Sequence, residues 1–131
     1  MKNELIIHDE DARGNRSHSL RIPNTSSSIL VKDLITRRVE SEVARFNVQR
    51  PVCFFSLVQP AGAESTSRGF RLKEHRMLDA SDQVKNALEG FNKKNYLINA
   101  NARDFQNLDD VIDITDDTEI IFVKFVEVIG G

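Results

Sequence analysis

Residues 119–128, Glu-Ile-Ile-Phe-Val-Lys-Phe-Val-Glu-Val, carry apolar side chains at both odd and even positions over most of their length. Successive residues of a strand point to opposite faces. A run that is apolar in both phases suits a strand covered on both sides, so it predicts a central strand rather than an edge. Such a strand needs partners on both flanks and a second layer over at least one face.

The remaining segments supply these. Leu5-Ile6-Ile7-His8 is a short β run, and Ser19-Leu20-Arg21-Ile22 alternates polar and apolar before Pro23. The polar stretch between them, with Gly14-Asn15 as its turn signal, predicts a hairpin. Val31, Leu34, Ile35, Val39, Val43 and Phe46 recur at steps of three and four, which predicts an amphipathic helix over 31–47. Lys32, Arg37, Arg38, Glu40, Glu42 and Arg45 are expected on its outer side. Residues 52–58 form an apolar run after Pro51 that is read as a strand or a buried extended segment, 61–69 an exposed loop, and 82–91 a second helix with Asp82 as its N-cap or first-turn acid. Tyr96-Leu97-Ile98 is a further strand. The expected class is α+β: a mixed sheet with one main helix packed across it and an inserted block at about 48–95 that contains the second helix.

At 131 residues the chain is read as one domain, 1–131, able to bury a core without staples. A net charge of −2 and a pI near 5.9 give no footprint for nucleic acid. The basic clusters at 13–16, 37–38 and 68–76 are expected to be solvated surface. The single cysteine, Cys53, excludes an internal disulfide, suits a reducing compartment and, within Val52-Cys53-Phe54-Phe55, is expected to be a buried structural thiol. Neither a signal peptide nor a spanning segment is legible, so a cytoplasmic address and no membrane partner are expected. His8, His18 and His75 have no metal-ligand spacing, and neither a P-loop nor a nucleophile elbow is present. The expectation is a protein that is not an enzyme and binds no cofactor.

The terminal strand runs into Gly130-Gly131, a pair whose chance occurrence at that place is about half a percent. Without a Cβ, glycines can thread a narrow channel and leave the reacting carbonyl open to attack. Beyond the last ladder bond, residues 129–131 are expected to form a flexible tail.

The order β-β-α-β-β with a central last strand and a Gly-Gly ending resembles the β-grasp fold of ubiquitin-like proteins and their sulfur-carrier relatives. Asp116-Asp117-Thr118-Glu119-Ile120-Ile121-Phe122 followed by Val126-Glu127-Val128-Ile129-Gly130-Gly131 is similar to the D-G-D-E-V-x-F … P-V-x-G-G ending of the molybdopterin-synthase small subunit. It also resembles the terminal strand of the thiamine sulfur carrier. Ile29-Leu30-Val31-Lys32-Asp33-Leu34-Ile35 resembles the helix start of these proteins. Where a Thr often caps that helix Leu30 stands here, which passes the cap to Ser28 or removes it. The resemblance covers roughly 2–47 and 96–131; the block between has no counterpart in minimal members, but the whole pattern looks like bacterial ubiquitin-like modifiers that carry such a block.

The resemblance implies that a partner activating enzyme, using ATP, adenylates the Gly131 carboxylate, and that the acyl group then passes through a thioester to an amine on a protein target. A conjugating enzyme and a deconjugating protease would complete the partner set. It implies Gly131 and Gly130 as the conjugation residues, with Ile129, Val128, Glu127, Arg37 and Arg38 as recognition residues. Glu127-Val128-Ile129 lacks the basic residues of ubiquitin's own tail, so the implied activating enzyme is specific to this protein. A sulfur carrier forming a C-terminal thiocarboxylate is one alternative. A β-grasp interaction domain whose Gly-Gly is incidental is the other. The inserted block favours the modifier, because extra surface suits protein partners.

Overall fold

The computed structural model describes residues 3–130. Strands β1 (Glu4–Asp11) and β2 (Arg16–Pro23) form the predicted hairpin, antiparallel with Ile7 opposite Leu20. Asp11 closes the turn: its side chain accepts from the Arg13 and Asn15 amides, both at 2.9 Å. Strand β3 (Ser28–Leu30) leads into helix α1 (Val31–Gln49). Then come β4 (Val58–Gln59), β5 (Ala63–Thr66), β6 (Gly69–Leu72), helix α2 (Ala80–Asn92), β7 (Tyr96–Ala100), β8 (Arg103–Phe105), β9 (Val111–Asp113), β10 (Glu119–Lys124) and β11 (Val128–Ile129).

The architecture is α+β. Its main sheet has five strands in the order β2-β1-β10-β7-β8, with β10 parallel to β1 and every other neighbour antiparallel. The last long strand is central, as its composition requires, but it is shorter than the apolar run: β10 ends at Lys124, and Phe125 and Val126 stand half exposed in a bend. Nor is it equally covered on both sides. Ile120 and Phe122 are fully buried toward α1, whereas Ile121 and Val123 lie half-buried on the open face, Ile121 opposite His8 and Val123 opposite Leu97.

Helix α1 lays Val31, Leu34, Ile35, Val39, Val43 and Phe46 into one core with Leu5, Ile7, Ile22, Ile98, Ile120 and Phe122. Each such side chain taken fully out of water contributes about 1.5–3 kcal/mol. Its N-terminus has no side-chain cap. Ser28 belongs to β3, and the Val31 and Lys32 amides donate instead to the carbonyls of Asp110 and Leu108, at 2.9 and 3.0 Å. Helix α2 is capped by Asp79, whose carboxylate accepts from the Asp82 amide, so Asp82 is the first-turn acid.

Two expectations for the inserted block need correction. Residues 61–69 are not all loop: β5 and β6 form a hairpin from Ala63 to Leu72. Residues 52–58 form no strand as a whole; Phe54 makes one bridge to Phe70, and only Val58 and Gln59 are strand. Their apolar side chains pack individually, Phe54 against Phe46 with ring centres 4.6 Å apart. The block is tied to α1 by Asn47, whose side chain both donates to and accepts from the Leu78 backbone at 2.9 Å. No helix among the described residues is long and apolar enough to cross a membrane.

Candidate functional site

Beyond β10 the chain turns at the Phe125-Val126-Glu127 bend, where the Phe125 and Val126 amides both donate to the Asn95 carbonyl, at 2.9 and 3.0 Å. Glu127 is exposed, with its carboxylate 3.8 Å from the Lys124 ammonium. Val128 and Ile129 then pair in parallel with Val58 and Gln59, and the Gly130 amide donates to the Gln59 carbonyl at 2.8 Å. The expected flexible tail is therefore a docked one as far as Gly130. Val128 is buried, Ile129 is 57% exposed and Gly130 is buried. Gly131 lies outside the described residues.

The surface that receives these residues is built from the inserted block. Gln83, Ala87 and Gly90 are buried at i, i+4 and i+7 on one face of α2. A Cβ on Gly90 would come within 2.6 Å of the Val128 side chain, and a Cβ on Gly130 would overlap the Gln83 amide oxygen and come within 2.5 Å of Val58. Both glycines are thus required by close approach. The sequence signal for this was available at Gly90, a glycine inside an otherwise regular helical stretch.

The two arginines expected on the outer face of α1 have different fates. Arg37 is half-buried and its guanidinium donates to the Pro23 carbonyl. Arg38 is not on the surface at all: it is 0% exposed and grips Asp9 of β1 with two hydrogen bonds of 2.6 and 2.7 Å. Its guanidinium also sits 4.6 Å from the centre of the Phe122 ring and reaches Glu42 at 3.4 Å. Glu42, also expected outside, accepts from the Leu57 amide at 3.0 Å and so joins the helix to the inserted block. A side chain with no exposure cannot touch a partner, which removes Arg38 from the recognition set.

Burial alone would push the Asp9 carboxyl up, but the Arg38 charge and hydrogen bonds outweigh it and hold it below the ordinary value of 3.8. For Glu42 burial wins over Arg38 and the Leu57 amide, and its carboxyl is raised above 4.5. Burial opposes the charge on Arg38, yet the facing carboxylates of Glu42 and Asp9 keep it firmly protonated.

Cys53 is half-buried rather than buried. It lines a cleft of about 210 Å³ between β2, α1 and the inserted block, together with His18, Arg45 and Phe55. His18 stacks on Phe55 at 4.8 Å, and burial is the main reason its imidazole titrates below 6.5. Among the described residues no group of three or more His, Cys, Asp or Glu could hold a metal ion. Comparison of the chain with protein-family models, with curated proteins and with solved structures gave no match.

Proposed function

We propose that this protein is a β-grasp domain of the ubiquitin-like kind and serves as a protein modifier through Gly131. The observation that carries the fold assignment is the strand order β2-β1-β10-β7-β8, with a parallel central pair and α1 joining the opening hairpin to the rest. The support for the function is the Gly-Gly sequence placed a few residues beyond the central strand. In the reaction the Gly131 carboxylate attacks ATP on a partner enzyme, giving an acyl adenylate and pyrophosphate. A partner thiol then displaces AMP to form a thioester, and a target amine displaces the thiol to form an isopeptide bond. The domain contributes the acyl group, and the catalytic groups belong to the partners.

The test is ATP–pyrophosphate exchange with candidate activating enzymes, run with the intact protein and with Gly131 deleted. Exchange only with the intact protein, followed by higher-mass conjugates, supports the modifier. A mass gain equal to one oxygen replaced by sulfur, without conjugates, would assign the sulfur carrier instead. A second reading draws on the packing of Gly130: a glycine needed to close the fold has a structural reason to be there, as in a non-conjugated interaction domain. Partner binding and activity unchanged by deletion of Gly131 would select that reading.

A further inference from the structure

The inserted block presents a two-residue strand, β4, whose edge β11 occupies, beside a groove whose floor is the Gln83–Gly90 face of α2. Three features of this groove fit one kind of ligand. The β4 backbone supplies ladder bonds to an extended chain. Gly90 leaves a notch filled by the Val128 side chain. The space between Val58 and Gln83 has no room for a side chain beyond hydrogen. A glycine within a helix is less favourable than alanine, a cost Gly90 bears while Val128 occupies the notch.

We propose that this groove is a binding site for an extended, glycine-ended chain segment, and that the protein's own residues 128–130 occupy it, so that a partner must draw the segment out before acting on Gly131. The regulatory part rests on the modifier reading; the binding site does not. Consecutive Cα atoms lie only about 3.8 Å apart, so whatever holds Gly130 limits the reach of the residue bonded to it. Once the β11–β4 pairing is released, residues 127–130, beyond the Asn95-anchored bend, can swing out and span about 14 Å. That length is enough to enter a channel in another protein. The exposed Phe125, Val126 and Ile129, at 51%, 59% and 57%, lie along the segment a partner would grip.

Two variants test the site without touching Gly130 or Gly131. Gly90→Ala closes the notch and should evict Val128 while favouring the helix itself. Gln59→Cys with Ile129→Cys, in a Cys53→Ser background, joins paired positions on strands about 4.8 Å apart, within disulfide range. The readouts are exchange of the Gly130 amide by NMR and removal of Gly131 by a carboxypeptidase. In the wild type both should be slow. In Gly90→Ala both should quicken about tenfold with the far-UV spectrum unchanged. The oxidised cysteine pair should be trimmed more slowly than its reduced form.

A Gly130 amide that exchanges in the wild type as fast as in a free peptide would overturn the proposal. So would equal trimming of the oxidised and reduced pair, which decides the matter even if Gly90→Ala fails to fold. Neither readout uses an activating enzyme. Absence of adenylation therefore counts against the modifier reading alone, while unprotected trimming counts against the binding site alone.

Discussion

Arg38 faces two carboxylates inside the protein, and the unequal titration of that pair has a measurable sign. Asp9 is held below 3.8 in the folded state, so its contribution to stability is complete above that value and is lost as pH falls through the lowered one. Glu42 is raised above 4.5: the folded state binds its proton more tightly than the unfolded chain, and stability declines as pH rises from 4.5 through the raised value. Glu42→Gln, which keeps an acceptor for the Leu57 amide, should remove that decline, seen as a flatter dependence of the urea midpoint on pH above 4.5. Asp9→Ala should cost about 3–5 kcal/mol at neutral pH, because it strips a buried guanidinium of its bidentate partner. A loss below about 1 kcal/mol in urea denaturation, the size found for surface pairs, would contradict this account. The cluster was partly legible in the sequence. Leu34, Arg38, Glu42 and Phe46 form one i, i+4 row, so two opposite charges interrupt an apolar ridge, and Asp9 continues the inward alternation of Leu5 and Ile7. Assigning every charge to the outer face overlooked that register.

Strand β10 offers two adjacent isoleucines on opposite faces. Ile120 is fully buried under α1 and Ile121 half-buried on the open face. Ile120→Ala should cost about 2–5 kcal/mol, and Ile121→Ala no more than about 1 kcal/mol, measured as the difference in urea unfolding free energy. Equal costs would mean that the second face is covered too. Both helices, the first hairpin, β7 and the centrality of β10 were readable, since each carries the periodicity of its own class. The β5–β6 hairpin was not: Ala63-Glu64-Ser65-Thr66 has no apolar alternation, and its pairing is backbone bonding supported by the Arg71–Glu64 ion pair across the strands. The docking of β11 was equally hidden, because a two-residue ladder depends on where α2 and β4 arrive in space.

Across the whole molecule, the inserted block shares its supports with the main sheet. Asn47 holds Leu78, Glu42 holds Leu57, and the Tyr96 hydroxyl donates to the Ala87 carbonyl of α2 at 2.7 Å. Tyr96 is the single tyrosine of a chain without tryptophan, and it stands between the Phe91 and Phe122 rings, at 5.5 and 5.7 Å. Its fluorescence therefore reports on the block-to-sheet junction. Thermal melts followed by that fluorescence and by far-UV circular dichroism should coincide, as for one cooperative unit. An earlier fluorescence transition would show the block detaching first. Tyr96→Phe, which loses the hydroxyl bond to Ala87, should lower stability by about 0.5–1.5 kcal/mol, measured by urea denaturation followed by far-UV circular dichroism.

The pairing of β1 with β10 has a consequence for the chain as it is being made. Ile6 lies opposite Glu119 across a parallel ladder, so β1, once synthesised, must wait for the much later β10 before its inner edge is satisfied. The Leu108 and Asp110 carbonyls that start α1 arrive equally late. Until then the β1–β2 hairpin carries an open, apolar flank, and closing so long a loop is slow. The nascent hairpin and helix depend on residues 108–124 for their burial, which makes the interval of translation between them the time when they most need shielding.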